Sequence, residues 1–204
     1  MPLKDWGLGL EELTEYYHRY GLYYTDFAIN KESQNWFITR GLVDQAFHNI
    51  KHWKSKKNFS VRSPMEIDLI GLRIDHKCKL REVRLIQCKE HVDFSMIQNI
   101  ERSMLMPRIG GLTWEAEKQK ILTKFVSYVT ISSTAEEKLK NDRIGLLSFE
   151  LMLEKLLRLV ISLKKIGRKG FAREPTLWMI RSLMDKGFFD QKLVNKINLE
   201  LSDN

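Results

Sequence analysis

Between Met65 and Val92 the chain reads MEIDLIGLRIDHKCKLREVRLIQCKEHV. Two runs of aliphatic and β-branched residues are divided by the charged segment Asp75-His76-Lys77, a pattern that predicts two strands joined by a turn. Side chains alternate across a strand. Gln87 and Lys89 therefore share one face, and Ile86 and Cys88 point the other way, into a core. The first strand carries Asp68 with Leu69-Ile70 behind it. Side-by-side pairing is expected to bring a carboxylate, an amide oxygen and an ammonium together at one sheet edge. Hard divalent cations such as Mg2+ take oxygen ligands, which Asp68, Gln87 and a backbone carbonyl near Cys88 can supply. Lys89 is placed to orient or deprotonate a bound water, or to hold charge on a phosphate. Each residue taken singly also fits an ordinary polar strand face.

The flanking segments supply the layers such a hairpin needs. Gly9 to Gly21 has helical spacing, with Leu10, Leu13, Tyr16, Tyr17 and Tyr20 on one stripe and Glu11, Glu12 and Glu15 on the other faces. Leu22 to Ile29 reads as a first strand, and Gln34–Ile38 and Leu42–Phe47 as short helical pieces around Gly41. After the hairpin, Asp93 or Ser95 caps a helix carrying Met96, Ile97, Ile100, Met104 and Leu105. Pro107 and Gly110-Gly111 break the chain. Lys124–Ile131 is an alternating, β-branched strand. Ser132-Ser133-Thr134 caps a short helix over 135–140, 143–147 is a short strand, and Ser148 caps an amphipathic helix over 149–163. This β-α-β-α order predicts parallel strands joined by crossover helices.

With 204 residues, 43% of them hydrophobic, the chain can bury a sizeable core, which argues against disorder. A net charge of +8 and a pI near 9.4 favour a polyanionic partner, nucleic acid or an anionic surface. Lys51, Lys54, Lys56, Lys57 and Arg62, interleaved with Trp53 and Phe59, read either as a solvated loop or as a phosphate-contacting arm whose aromatics stack on bases. Lys164, Lys165, Arg168 and Lys169 make a second basic stretch. Beyond it, Pro175 opens a helix that Gly187 ends, and Asp190 caps a last helix over 191–201. Such a pair is either a packing or dimer-forming hairpin, or a helix-turn-helix reader of DNA. Cys78 and Cys88 form no disulfide framework or zinc spacing. The first residues lack a charged-then-apolar leader pattern, and no apolar run approaches the roughly 18 residues of a membrane span. The expectation is an intracellular, cytoplasmic protein with no membrane partner.

An Asp followed by a hydrophobic pair, a hairpin, and apolar residues leading into Gln-x-Lys resembles the PD-(D/E)xK nuclease superfamily. IDLIG with LIQCKEH is most similar to its Mrr-type restriction endonucleases and archaeal Holliday-junction resolvases, and the Mrr-type branch has Gln where others have an acid. The order of elements agrees from about Gly9 to Leu163. The resemblance implies an α/β, restriction-endonuclease-like core: a mixed central β-sheet flanked by helices, with a C-terminal helical extension. It divides the chain into a nuclease-like domain over 1–163, with 31–62 as a basic insertion, and a helical hairpin over 164–204. It implies a DNA endonuclease that hydrolyses phosphodiester bonds with Mg2+ or Mn2+, acting on duplex or branched DNA; a homodimer is one assembly it allows.

Matched residue by residue, Asp68 corresponds to the metal-binding Asp, Gln87 to the second ligand and Lys89 to the catalytic lysine. Glu12 corresponds to the acid from the first helix, with Glu11 and Glu15 as alternatives. The basic residues named above are, from their charge, candidate DNA contacts. Glu66 shares the Asp68 face and is a further acid. His91 shares the Lys89 face if the strand runs on, and reads as a bystander sooner than a base. Pro64 departs from the pattern, lying four residues before Asp68. Gln87 removes one negative charge from the metal site, which keeps open a nuclease fold that binds nucleic acid and cuts weakly or not at all.

Overall fold

The computed structural model describes residues 5–18, 35–44, 49–51, 58–60, 65–75, 77–104, 112–165 and 175–202. Strands β4 (Met65–Ile74) and β5 (Leu80–Val92) form the expected antiparallel pair. Asp75 organises their turn: its carboxylate accepts from the N–H of Lys77 and of Lys79, each at 2.9 Å, and from Arg81 at 2.7 Å. These donors, the Lys79 N–H foremost, lower the Asp75 pKa to about 2.

Around this pair stands a five-stranded mixed sheet in the order β1-β4-β5-β6-β7, with β1 at Asn35–Asp44, β6 at Leu122–Ile131 and β7 at Gly145–Ser148. β1 runs antiparallel to β4, whereas β5, β6 and β7 are parallel, as the β-α-β-α order requires. The crossover from β5 to β6 carries α2 (Ile97–Met104) and α3 (Leu112–Lys118), and that from β6 to β7 carries α4 (Ser133–Asn141). Ser132 caps α4 by accepting from the Ala135 N–H. Asp93, of the two residues considered, caps the turn leading into α2. α5 (Phe149–Lys165) leaves β7 directly, and Ser148 Oγ accepts from the Leu151 N–H at 3.2 Å.

Two apolar layers cover the sheet. On one face α1 (Asp5–Tyr16), α5, α6 (Pro175–Asp185) and α7 (Gln191–Glu200) enclose Leu69, Ile86, Leu147, Leu156, Leu157 and Val160. On the other, Ile70, Leu85 and Val126 pack with Ile97, Ile100 and Met104 of α2 and Leu139 of α4. Among the described residues no helix is long and apolar enough to cross a membrane.

Two expectations are corrected. The expected helical pieces over 34–38 and 42–47 are not helical where they are described: 35–44 are one continuous strand, β1, paired with β4 from Asn35–Ile74 to Asp44–Met65, and 34 and 45–47 lie outside the described residues. Their apolar residues fit either period, and the partner strand decides. Gly71 makes room for the pairing, because a Cβ there would lie 3.1 Å from both Ile38 and the Trp36 ring. Within the expected insertion over 31–62, residues 35–44 belong to the main sheet, and β2 (Asn49–Lys51) and β3 (Asn58–Ser60) form a separate two-stranded pair. The second correction is that β4 and β5 do not lie at a sheet edge: they occupy the second and third positions of five. The predicted strand over 22–29, the arm residues Lys54, Lys56, Lys57 and Arg62, and the basic loop with Arg168 and Lys169 lie outside the described residues.

Candidate active site

The ladder between β4 and β5 pairs Ile74 through Leu69 with Leu80 through Ile86 and goes no further. The next residues are Asp68 on β4 and Gln87-Cys88-Lys89 on β5. The Cys88 N–H, on the side of β5 that faces β4, would be an unpaired buried donor at this opening, a costly state. Asp68 satisfies it: Oδ2 accepts from the Cys88 N–H at 2.7 Å and from Lys89 Nζ at 3.3 Å. Both contacts fall on Oδ2, which leaves Oδ1 without a protein donor among the described residues. Asp68 is 7% exposed, while the Lys89 side chain is 37% exposed. A buried carboxylate thus meets an ammonium that reaches solvent.

Gln87 lies between them in sequence and is 2% exposed. The expected open polar face is instead interior, since β5 has a strand on either side and a helical layer on each face. Cys88 points into the first layer as expected. Its thiol is pushed up to about 12 by burial first, then by the charges of Asp68 and Glu11.

That last influence identifies which α1 acid stands near the site. Leu10, Leu13, Thr14, Tyr17 and His18 are buried against the sheet. Glu12, about 200° round the helix from Leu10, is exposed on the far side; Glu11 is half-buried on the flank, within electrostatic range of Cys88. Glu15, one turn on from Glu11, is half-buried on the same flank, so the structure brings Glu11 and Glu15 to the sheet side and leaves Glu12, the residue expected at the site, exposed.

Several site-lining residues escape a reading of the sequence by apolar stripes. Thr14 and Ser127 are both fully buried and meet at 2.6 Å, and the Cys88 thiol donates to Thr14 Oγ1 at 3.8 Å. One turn on, where α1 widens into a π turn at Tyr17–His18, His18 Nδ1 lies 2.7 Å from the Thr14 carbonyl oxygen. That oxygen can only accept, so Nδ1 carries the proton and Nε2 accepts from Arg84 Nη1, 3.1 Å away. Burial first, then the Arg84 charge, lowers the His18 pKa to about 3, so the ring is neutral. Arg84 is held between the rings of Trp36, at 4.4 Å, and Phe125, at 4.3 Å. Its guanidinium donates to Glu82 Oε1 at 2.7 and 3.0 Å, and Thr123 donates to the same oxygen at 2.6 Å. The signal in the sequence was the position of Thr14 and His18, four apart on the apolar stripe.

The other predicted site residues are dispersed. His91 is exposed, with Nδ1 2.7 Å from Thr130 Oγ1, so its ring is tied to β6 and not to Asp68. Lys51 falls on β2, Lys164 and Lys165 on the last turn of α5, and Glu66 on β4 beside Asp68. Among the described residues no three His, Cys, Asp or Glu side chains gather as a metal cage. The donors nearest the opening are carboxylate and amide oxygens, the kind a hard cation takes, but too few to enclose one without water or phosphate. No family model, curated protein or solved structure matches the chain.

Proposed function

We propose that the chain is a Mg2+- or Mn2+-dependent DNA endonuclease with a restriction-endonuclease-like core, hydrolysing phosphodiester bonds in duplex or branched DNA. The observation that carries this reading is the opening of the β4–β5 ladder at Asp68, with Lys89 Nζ 3.3 Å from its carboxylate and Oδ1 without a donor among the described residues. Asp68 Oδ1, Gln87 and Glu11 would hold the ion. When bound, such an ion polarises the phosphate and acidifies a water. Lys89, anchored at one end by Asp68 and open to solvent at the other, would hold a phosphate oxygen or steer the attacking water. Water oxygen bonds to phosphorus, the bond to one deoxyribose oxygen breaks, the water proton passes to solvent, and the leaving oxygen takes up a proton from solvent to become a hydroxyl. The basic stretches at 51–62 and 164–169 suit the flanking backbone.

The test is incubation of the parent protein with plasmid, linear and branched DNA, with and without Mn2+. Lys89→Ala is expected to lower cleavage by about 100- to 10,000-fold, and Asp68→Asn, which keeps an acceptor for Cys88, to do the same. Cleavage by both variants at the parent rate would refute the proposal. The burial of Gln87 favours a second reading, a nuclease fold that binds nucleic acid without cutting. Salt-sensitive DNA affinity with no cleavage under any divalent ion would establish it.

A further inference from the structure

An apolar stripe does not by itself set the rotation of a helix, because hydrophobic contact is non-directional. Each residue turns the helix by about 100°, so a slide of one position would exchange the glutamate nearest the sheet. Thr14 and His18 on α1 and Ser127 on β6 are each 0% exposed, and each has a polar partner. A shifted α1 would keep the bonds from Thr14 to the Leu10 carbonyl and from His18 Nδ1 to the Thr14 carbonyl, but would break Thr14–Ser127 and part His18 Nε2 from Arg84, at about 1–3 kcal/mol each. The anchor for His18 is itself held: Arg84 lies against two aromatic rings and is bonded to Glu82.

We infer that Thr14 and His18 are positioning residues: through Ser127 and Arg84 they lock α1 so that the flank of Glu11, rather than that of Glu12, faces Cys88. Buried polar groups used this way specify register more than they stabilise. The functional meaning rests on the endonuclease reading, in which Glu11 and Asp68 share the cation. The register itself can be measured without it.

In a Cys78→Ser background Cys88 is the sole thiol and lies beneath α1. Thr14→Val and His18→Leu replace the polar pins at similar volume, and Thr14→Ser keeps the hydroxyl. Cys88 labelling by a thiol reagent is measured at matched folded fraction, and Mn2+ affinity by calorimetry without DNA. Both apolar variants are expected to label Cys88 about tenfold faster and to bind Mn2+ about tenfold more weakly, with Thr14→Ser matching the parent. A folded Thr14→Val or His18→Leu with parental protection and affinity would overturn the inference. Should either fail to fold, Glu11→Gln and Glu12→Gln decide: only the first should weaken Mn2+ binding, and an equal loss from the second refutes the locked register. A parent that neither binds Mn2+ nor cuts DNA would end the endonuclease reading, and the Cys88 labelling would still decide the register.

Discussion

Asp68 Oδ2 serves two donors at once, the Cys88 N–H and Lys89 Nζ. The residue is therefore structural and chemically available together, and its replacement by Ala would confuse the two roles. A comparable double constraint governs His18. Its ring is neutral because the fold withholds water and sets Arg84 against Nε2. An unfolded chain would bind a proton at this histidine near pH 6.5, and the folded chain only near pH 3, so the unfolded state holds more protons between those values. The stability due to neutral His18 is complete above about pH 6.5 and is lost as pH falls toward 3, by about 1.4 kcal/mol per unit. Urea unfolding of parent and His18→Leu from pH 7 to pH 4 should show their stability difference shrinking at about that slope. A constant difference would mean that the folded ring protonates as readily as the unfolded one.

At the scale of elements, β6 and β7 are joined at a point where no side chain fits. Gly145 pairs with Phe125, and a Cβ on Gly145 would fall 2.3 Å from a Phe125 ring carbon. The ring that needs this space is one of the two that clamp Arg84. Gly145→Ala is expected to push Phe125 off the guanidinium and to cost about 1–3 kcal/mol, as overpacking does. The denaturation midpoint reads the loss, and Phe125→Leu in the same chain should restore part of it; purely additive effects of the two changes would refute the contact as the cause. Helix ends were the most legible feature of the elements. Ser132, Ser148 and Asp190 all accept from the first helical N–H groups, because capping is local chemistry that a short sequence window contains. β1 was misread for the converse reason: Trp36, Ile38 and Leu42 satisfy either period, and what makes them a strand is β4, some thirty positions away.

For the molecule as a whole, the C-terminal helices are no appendage. Leu177 and Ile180 of α6 and Val194 and Ile197 of α7 are buried in the same cluster as Leu10 and Leu13 of α1 and Leu156 of α5. At about 1.5–3 kcal/mol for each buried side chain, those four contribute about 6–12 kcal/mol, which rivals the whole stability of a typical domain. A chain ending at Lys165 is expected to lose cooperative unfolding and to aggregate. A truncated protein with a parental melting transition would show instead that these helices are dispensable. α6 and α7 also complete the layer that presses α1 onto the sheet, so their loss reaches Glu11 as well.

The sequence by itself determined the hairpin, the parallel β-α-β-α run, the caps and the proximity of Asp68 to Lys89, because alternation, capping and turn chemistry act over a few residues. The tertiary structure alone decided that β5 is central and Gln87 buried, that residues 35–44 are a strand, and that Glu11 and not Glu12 turns toward the site. Those outcomes depend on which surfaces meet. Thr14, Ser127, His18 and Arg84 fall at 14, 127, 18 and 84 in the chain, and only packing makes them neighbours whose polar groups must satisfy one another.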